Sequence, residues 1–402
     1  MKKEKKLVLA FSGGLDTSFC IPYFLEKNYQ VITVTVNTGG FSKKELERIS
    51  KASKKLGASK HYEIDATEEL YQQVVKYIIK ANYKRFGIYP TVVGGERGIQ
   101  AFKVAEIAKK EKAGFVAHGS TGAGNDQVRF DLIIRALLPG AKILAPVREE
   151  SLSRQEEVDF LNKHGHKFSA ERADYSINVG LLGTTIGGKE TLNTVESLPR
   201  EKLYEQIIRE QGTKATKEKG GKIYFKKGEA CKFNGKKMSG IEIIKKLNEI
   251  AQGQKFGFEE YLGATIVGLK ARIGFLAPAL DILIKAHADL ERITLTSKQL
   301  FWKDTLGKVY GDLIHEGLSI DPLVKDTEKF LDSSNEAVEG EVEFEISGGT
   351  VIIKNIKSPF SLFDAKNYSY GEGVKLWDGR DAEGFCKIYG TESVMAYLRR
   401  AN

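Results

Sequence analysis

The sequence predicts an α/β fold in which residues 1–165 form a doubly wound parallel sheet. Short apolar runs such as Leu7–Phe11, Gly114–His118 and Lys142–Pro146 have the composition of strands that are buried on both faces. These runs alternate with segments of helical periodicity, which is the pattern of βαβ units. After residue 165 the apolar runs shorten, and we expect an α+β unit there.

The elements of the first part can be placed in order along the chain. The first strand ends at a Ser-Gly-Gly turn, and the helix that follows over residues 17–28 contains Pro22, which should start, bend or shorten it. Ser42 and Glu45 have the spacing of a capping box and mark the start of another helix. The remaining elements are predicted from periodicity: strands at residues 30–36 and 61–64, and helices at 42–56, 68–83 and 98–112.

The second part is rich in lysine and glycine. Lysines crowd residues 214–237, for which a solvated, loop-rich hairpin and a nucleic-acid patch are the two interpretations. The aromatic residues there alternate as strand residues do and form no stacking platform, which favours the hairpin. Helices are predicted at residues 240–250 and 280–292 and from Ala382 onwards, and a β-hairpin at 341–356.

The composition argues against several classes of protein. The chain has 402 residues, and at roughly 100–200 residues per domain we expect two domains and an appendage. Its three cysteines form no C-x-x-C pair, which argues against a zinc ribbon or a disulfide framework. Because no apolar run is long enough for a membrane span or a signal peptide, a cytoplasmic location is expected. The net charge of +9 favours anionic partners, or reflects solubility alone.

The turn after the first strand is the most informative segment. Its two glycines permit a tight turn, and free backbone N–H groups at the start of the helix would hold a phosphate. Its hydroxyl groups can donate to phosphate oxygens, and Asp16 would order Mg²⁺ or the loop itself. The segment consists of Ala10, Phe11, Ser12, Gly13, Gly14, Leu15, Asp16, Thr17 and Ser18.

This turn is neither a Walker motif nor a G-x-G-x-x-G fingerprint. It resembles the S-G-G-x-D-[ST] loop of the ATP pyrophosphatase superfamily. The resemblance implies that ATP is cleaved between its α and β phosphates and that AMP is transferred to an oxygen.

A second polar segment follows the strand at Gly114–His118. It therefore lies at the carboxyl edge of the same sheet, where doubly wound folds bind ligands. Thr121, Asn125 and Asp126 offer a hydroxyl, an amide and a carboxylate to one small polar ligand. Arg129 offers a two-pronged donor for a carboxylate.

Together the two segments resemble the argininosuccinate synthase family, and the resemblance extends over nearly the whole chain. Members of this family join citrulline to aspartate: the ureido oxygen of citrulline attacks the α-phosphate of ATP, pyrophosphate leaves, and the aspartate amine displaces AMP. The resemblance implies an AMP-forming carbon–nitrogen ligase of arginine biosynthesis that uses ATP with Mg²⁺. Later matches are Tyr175-Ser176-Ile177, Gly268–Arg272, Ala286-His287, Leu290-Glu291, Ser358–Leu362 and Asp381–Phe385.

The resemblance also implies how the chain is organised. Residues 1–165 would be a nucleotide-binding domain, residues 166–362 a synthetase domain, and residues 363–402 a C-terminal helical arm that helps to form a homotetramer. With ATP, aspartate and citrulline as small-molecule partners, the positive charge is interpreted as mostly solvated surface. No nucleic-acid or membrane partner is expected.

Position by position, the resemblance assigns residues to the substrates. Asp16, Asp126 and Arg129 are the candidate catalytic groups, acting by positioning and charge neutralisation. No residue stands out as a general base, so the proton of the aspartate ammonium would pass to an ATP phosphate or to Asp126. ATP would be bound by residues 10–18 with Val36, Asn37, Thr38 and Gly119. Aspartate would be bound by Thr121, Asn125 and Asp126. Citrulline would be bound by Tyr89, Asn125, Arg129, Ser176 and Thr185.

Several positions depart from the family pattern, mostly on the citrulline side. Two explanations compete: other side chains hold citrulline instead, or the acceptor is a citrulline analogue without a free α-ammonium group, such as an N-acylated one. A buried ammonium that lost its carboxylate partner would cost several kcal/mol. Gly94 lies where the family has a hydroxyl residue, Gly263 where it has an acidic residue, Phe275 where it has a tyrosine and Ala123 where it has a lysine. Thr185 replaces the usual serine but keeps a hydroxyl group, and Arg97 matches the family arginine.

Two functions of other classes use the same phosphate loop. An RNA-modifying enzyme would need a catalytic or metal-binding cysteine, and Cys20 is more simply interpreted as a buried structural residue. A non-catalytic ATP-binding regulator is the second alternative, and the intact loop argues against it.

Overall fold

Five parallel strands form the central sheet of the N-terminal part. The computed structural model describes residues 5–166, 175–211, 215–364, 366–369 and 373–401. The strands are β1 (Lys5–Ala10), β2 (Tyr29–Asn37), β3 (Lys60–Asp65), β4 (Phe115–Ala117) and β5 (Lys142–Leu144). Their order is β3-β2-β1-β4-β5, and every neighbouring pair is parallel. This confirms the doubly wound arrangement, which changes direction between β1 and β4 and opens a crevice at their carboxyl ends.

Both faces of this sheet are buried. Alternate residues of β1 belong to different hydrophobic clusters, Val8 to one and Leu7 and Leu9 to the other. A continuous apolar strand is therefore needed, as the sequence of β1 indicates. The helices of this part are α1 (Leu15–Glu26), α2 (Lys43–Lys55), α3 (Thr67–Leu70), α4 (Lys76–Lys80), α5 (Val92–Glu111), α6 (Asp126–Leu137), α7 (Pro146–Glu149) and α8 (Arg154–Lys163), with a π-helical turn at Tyr71–Val75.

Some helix boundaries differ from those predicted, for physical reasons. Pro22 lies inside α1 and neither starts nor ends it. The helix predicted from residue 98 already begins at Val92, because two glycines in its first turn obscure the periodicity. The single helix predicted at 68–83 contains the π-helical turn and ends at Lys80.

Between residues 175 and 357, the described residues form two antiparallel sheets, five α-helices and a 3₁₀-helical turn at Lys189–Leu192. The strands are β6 (Tyr175–Gly180), β7 (Gly183–Gly188), β8 (Gly220–Lys226), β9 (Glu229–Phe233), β10 (Lys236–Lys237), β11 (Phe258–Ala264), β12 (Lys270–Leu276), β13 (Gly340–Ser347) and β14 (Thr350–Lys357). The helices are α9 (Arg200–Gln211), α10 (Gly240–Gly253), α11 (Pro278–Thr294), α12 (Ser297–Glu316) and α13 (Pro322–Ser334). The sheet orders are β11-β12-β7-β6 and β10-β9-β8-β13-β14.

The lysine-rich stretch is a hairpin, as predicted, formed by β8 and β9. Phe225 and Phe233 point into the core, so neither ring is free to stack on a base. The hairpin predicted at 341–356 is also confirmed, as β13 and β14. The first lysine of the stretch, Lys214, lies outside the described residues.

One hydrophobic cluster runs through both parts of the chain. It includes Val8 of the parallel sheet, Ile78 of α4, Leu280 of α11 and Tyr310 of α12. Tyr310 is fully buried, and its hydroxyl donates to the backbone carbonyl of Gln73 at 3.3 Å. The two parts are thus packed together through a common core, and this packing holds their cleft-facing loops in place.

The C-terminal segment has no buried side chain in its helices, and it differs from the body of the protein in this respect. After the short strands β15 (Tyr368–Ser369) and β16 (Gly373–Val374) come α14 (Gly379–Ile388) and α15 (Thr391–Arg400), which are separated at Gly390. Exposed apolar side chains include Phe385, Ile388 and Leu398. Within the described parts of the chain, no helix is both long and apolar enough to cross a membrane.

Candidate functional site

A cleft with a volume of about 1330 Å³ opens at the carboxyl edge of the parallel sheet. The glycine-rich turn and the second polar segment form one side of it, and strands β6, β7, β11 and β12 contribute the other. Five of the site positions named from the sequence do not line it: Ser18, Asn37, Thr38, Ala123 and Phe275. The candidate residues that do line it are Ala10, Phe11, Ser12, Gly13, Gly14, Leu15, Asp16, Thr17, Val36, Tyr89, Gly94, Gly119, Thr121, Asn125, Asp126, Arg129, Ser176, Thr185 and Gly263.

The glycine-rich turn presents the N-terminus of α1 to the cleft. Gly13 has a φ of +73°, and Gly14 is the residue that precedes α1. In the described structure no side chain caps this helix, so its first N–H groups are free to bind an anion. The hydroxyls of Ser12 and Thr17 lie 3.2 Å apart at the mouth of the turn. The turn therefore has the donors that a phosphate group requires.

Asp16 lies against a second carboxyl group, that of Glu157 on α8. Burial and the neighbouring Asp16 raise the pKa of Glu157 to about 8. Burial also raises the pKa of Asp16, and the charge of Arg154 opposes this shift. Glu157 therefore keeps its proton near neutral pH. Glu157 was not predicted from the sequence, because a glutamate inside an amphipathic helix is ordinarily a surface residue.

Cys20 is fully buried one helical turn after Asp16, and its thiol donates to the backbone carbonyl of Asp16 at 3.1 Å. Burial raises the pKa of the Cys20 thiol well above its ordinary value. A buried, protonated thiol is not a nucleophile, which agrees with the structural interpretation of this residue.

His118 fixes the beginning of the second segment. Its Nε2 lies 2.9 Å from an oxygen of Asp131, and its Nδ1 lies 3.3 Å from the backbone nitrogen of Ser120. Because the backbone N–H must donate to Nδ1, Nε2 carries the proton and donates to Asp131. The following residue, Gly119, packs on the first turn: a Cβ there would lie 3.0 Å from Cγ2 of Thr17. The two polar segments thus touch at Gly119.

Asp126 is held between two guanidinium groups. Arg97 Nε donates to one carboxylate oxygen at 2.8 Å, and Arg129 Nη1 donates to the other at 2.7 Å. Burial alone would raise the pKa of Asp126, but the two arginines outweigh it and hold this pKa well below its ordinary value. Asp126 is therefore a poor proton acceptor near neutral pH while both pairs are intact, which disfavours one of the two proton routes considered from the sequence.

Asn125, beside Asp126, bonds to the tip of the β11–β12 hairpin. Its Oδ1 accepts from the backbone N–H of Ile266 at 2.8 Å. This bond joins the hairpin tip to the second segment, and Asn125 also lines the cleft. No sequence pattern indicates this contact, since residues 125 and 266 lie far apart in the chain.

Tyr89 and Tyr261 form the aromatic end of the cleft. Their rings stack with centroids 5.0 Å apart, and Phe275 meets the Tyr89 ring edge to face at 5.2 Å. Phe275 is fully buried behind this pair. Thr185 lies opposite Phe275 in the β7–β12 ladder, and Ser176 lies on the adjacent strand β6. This end thus combines aromatic surface with a few hydroxyl groups.

The glycines at two divergent positions leave room for polar neighbours. A Cβ at position 94 would lie 2.8 Å from Nη2 of Arg129. A Cβ at position 263 would lie 2.2 Å from the hydroxyl oxygen of Tyr261. The missing side chains are therefore replaced in space by the guanidinium of Arg129 and the phenol of Tyr261.

Glu96 is a buried carboxyl group that links three segments around the cleft. The hydroxyl of Thr38 donates to it at 2.6 Å and the backbone N–H of Leu182 at 3.1 Å. Gly180 provides the space, because a Cβ there would lie 2.0 Å from the carboxylate oxygens. Burial raises the pKa of Glu96 to about 7. The link ties the turn after β2 to the β6–β7 hairpin, and the sequence did not predict it.

The charges that line the cleft are more numerous than the sequence suggested. Arg48 and Arg154 join Arg97 and Arg129, and the carboxylates are Asp16, Glu45 and Asp126. Arg48 and Arg154 come from α2 and α8, which contain no recognisable motif at these positions. The described residues contain no cluster of three or more histidine, cysteine or acidic side chains that could hold a metal ion.

Comparison with known proteins yields a consistent set of relatives. A family model described as the N-terminal HUP domain of argininosuccinate synthase matches residues 6–167, and one for the C-terminal domain matches residues 175–396. The argininosuccinate synthase of Methanocaldococcus jannaschii is 37% identical over 398 residues, which cover 99% of both chains. That of Pyrococcus furiosus is 40% identical, covering 98% of this chain and 94% of the relative. That of Xanthomonas campestris is 38% identical and covers 98% of both.

Proposed function

The chain belongs to the argininosuccinate synthase family, and we propose that its cleft joins citrulline to aspartate with conversion of ATP to AMP and pyrophosphate. The observation that supports the proposal is the contact between the two polar segments at Gly119, because it brings the uncapped start of α1 into the same cleft as Asp126. In the first step the ureido oxygen of citrulline bonds to the α-phosphorus and pyrophosphate leaves. In the second the aspartate nitrogen bonds to the ureido carbon and AMP leaves.

ATP would bind at the glycine-rich turn. The free N–H groups at the start of α1 and the hydroxyls of Ser12 and Thr17 would hold the phosphates, with Arg48 and Arg154 supplying charge at the rim. Ser18, Asn37 and Thr38 would act indirectly, because none of them lines the cleft. Asn37 Oδ1 accepts from the backbone N–H of Gly39 at 3.0 Å, so its role would be to shape the turn after β2.

Mg²⁺ would accompany the ATP phosphates. The residues present offer it little: Asp16 is the single carboxyl group in the turn, and burial raises its pKa. The ion would therefore be held mainly by phosphate oxygens and water, and the protein would contribute at most the Asp16 carboxylate. Bound there, Mg²⁺ would neutralise charge on the leaving pyrophosphate.

Aspartate would bind at the second segment through Thr121, Asn125 and Asp126. The Asn125 amide nitrogen can donate to a carboxylate, while its oxygen remains bonded to Ile266. Asp126 is ionised and can attract the aspartate ammonium, although two arginines already neutralise much of its charge. Because its pKa is so low, we propose that the ammonium proton passes to an ATP phosphate oxygen instead.

Citrulline would bind between Tyr89, Ser176, Thr185 and the Arg129 side chain. All four line the cleft. The Arg129 guanidinium is fixed by Asp126 and by the backbone carbonyl of His315, which Nε reaches at 2.8 Å. A cation held in this way can stabilise negative charge that develops as the ureido oxygen attacks phosphorus.

The alternatives weighed from the sequence gain no support. The relatives named above are all described as argininosuccinate synthases, so we take citrulline as the acceptor. An RNA-modifying enzyme would need a reactive cysteine, and burial makes Cys20 unsuitable. A non-catalytic regulator would not require the aspartate-side groups that share the cleft with the phosphate turn.

We further propose the division into a nucleotide-binding domain (residues 1–165), a synthetase domain (166–362) and an oligomerisation arm (363–402). Helices α14 and α15 expose apolar side chains that nothing in the described part of the same chain covers. A second copy of the chain would cover them, and a homotetramer is the assembly we expect.

Oxygen-18 labelling tests the proposed reaction directly. Citrulline labelled with ¹⁸O in the ureido group should deliver its label to AMP when ATP and aspartate are both present. Label retained in the amino-acid product or found in pyrophosphate would contradict the proposal. Omission of aspartate provides the control, because net AMP release should then cease.

A further inference from the structure

The phenol of Tyr261 occupies a position in the cleft that the assignments above do not use. Tyr261 lies on β11, faces the same side of the sheet as Gly263, and pairs with Ile273 of β12. Its ring stacks on Tyr89 at 5.0 Å and on Phe86 at 6.2 Å. The side chain lines the cleft although it is only 7% exposed. The ring thus packs against two other aromatic rings, which limit where it can lie.

Gly263 leaves the space that the Tyr261 hydroxyl occupies. An added Cβ at position 263 would lie 2.2 Å from the Tyr261 hydroxyl oxygen and 2.5 Å from Cζ. Contacts this short do not occur between real atoms, so any other residue at 263 would push the phenol away. The pair is therefore matched: the glycine leaves the space, and the phenol fills it.

Arg85 determines what the phenol can do. Its Nε donates to the Tyr261 oxygen at 3.2 Å, while its Nη1 is held by Asp312 at 2.6 Å. An oxygen that accepts from a guanidinium keeps its own proton for another partner. The Tyr261 hydroxyl is therefore a donor toward the cleft, and it suits a ligand group that accepts, above all a carboxylate.

Two substrates carry carboxylates, but only one is expected at this end. The aspartate candidates, Thr121, Asn125 and Asp126, lie on the second segment, whereas Tyr261 packs directly on Tyr89, a citrulline candidate. Phe275, which also packs on Tyr89, offers no hydrogen bond.

We propose that Tyr261, supported by Arg85 and given room by Gly263, binds the α-carboxylate of the acceptor amino acid and determines acceptor specificity. The inference rests on the proposed function, since it assumes that citrulline occupies this end of the cleft.

Tyr261→Phe keeps the stacked ring and removes the hydroxyl. We expect KM for citrulline to rise roughly 10- to 100-fold, the range for a hydrogen bond to a charged group, with KM for ATP and aspartate unchanged within about twofold. Gly263→Ala should reproduce the citrulline-selective defect by displacing the phenol. Tyr224→Phe is the matched control, because Tyr224 donates to Glu339 outside the cleft.

A second measurement separates recognition from structure. 4-Ureidobutylamine is citrulline without its α-carboxylate, and its inhibition constant should be the same for the wild type and Tyr261→Phe. An unchanged KM for citrulline in Tyr261→Phe, or an equal loss of affinity for both compounds, would overturn the inference. Failure of the wild type to form AMP from citrulline, aspartate and ATP would instead overturn the proposed function.

Discussion

Replacing Gly119 by alanine should separate the glycine-rich turn from the second polar segment, which together form one side of the cleft. The new Cβ would lie 3.0 Å from Thr17 Cγ2 and 3.1 Å from the Asp16 carbonyl carbon and the Thr17 nitrogen. Comfortable carbon contacts are about 3.5–4.0 Å, so the segments must part by roughly 0.5 Å. Because the obstacle is partly backbone, the start of α1 has to move. A misplacement of about 1 Å can cost about 100-fold, so we expect kcat/KM for ATP to fall roughly tenfold.

The assay is steady-state release of pyrophosphate with ATP, citrulline and aspartate varied in turn. The matched control is Gly114→Ala, before the same strand β4, where an added Cβ meets nothing within 4 Å. KM for citrulline should stay near the wild-type value in both variants. If Gly119→Ala and Gly114→Ala have the same kinetic constants for ATP, the contact at Gly119 does not position the glycine-rich turn, and the proposed arrangement of the two segments is wrong.

Three further predictions concern charge and assembly. Because the pKa of Glu157 is raised from 4.5 to about 8, the folded chain binds more protons at this site than the unfolded chain between those values, so stability falls as pH rises. Glu157→Gln should therefore flatten the decline in the free energy of unfolding between pH 5 and 8, and an unchanged slope in denaturant titrations would argue against the carboxyl pair. The pKa of Asp126 is lowered, so its stabilising contribution is present above its unfolded pKa and is lost only in strong acid. Asp126→Asn should abolish aspartate-dependent AMP formation. In the wild type, the pH profile of kcat/KM for aspartate should show no titration of Asp126 near pH 4–5. Ile388→Asp places a charge on the exposed apolar face of α14. Light scattering should then show a lower molecular mass for the assembly, while KM for citrulline is unchanged. An unchanged mass would argue against the arm as the interface between copies.

The local features of the fold and site could be predicted because they are encoded in neighbouring residues. The strand β1, the glycine-rich turn and the helix α1 follow from an apolar run, two glycines and a hydroxyl-rich helix start. The capping box of Ser42 and Glu45 is present as predicted. In each case the interacting groups lie within a few residues, so the pattern of the sequence contains the contact.

The features that were missed depend on groups that meet only after folding. Glu157 and Arg154 approach the glycine-rich turn from α8, and nothing in the sequence of that amphipathic helix distinguishes them from ordinary surface residues. Gly94 and Gly263 read as losses in the sequence, whereas in the structure the guanidinium of Arg129 and the phenol of Tyr261 occupy the space beside them. Such exchanges of volume between side chains leave no periodicity and no motif.

The common core of the two parts has a consequence for how the chain folds as it is made. Tyr77 of α4 packs on Tyr310 with ring centroids 5.8 Å apart, and Lys303 donates to the backbone carbonyl of Lys80. At roughly 5–20 residues per second, the partner helix emerges from the ribosome some tens of seconds after α4 at the slow end of that range. During that delay the nascent N-terminal part exposes an apolar face that its own residues do not cover. The first part of the chain is thus synthesised early but completed late, and this interval is when chaperone binding or misassembly would compete with folding.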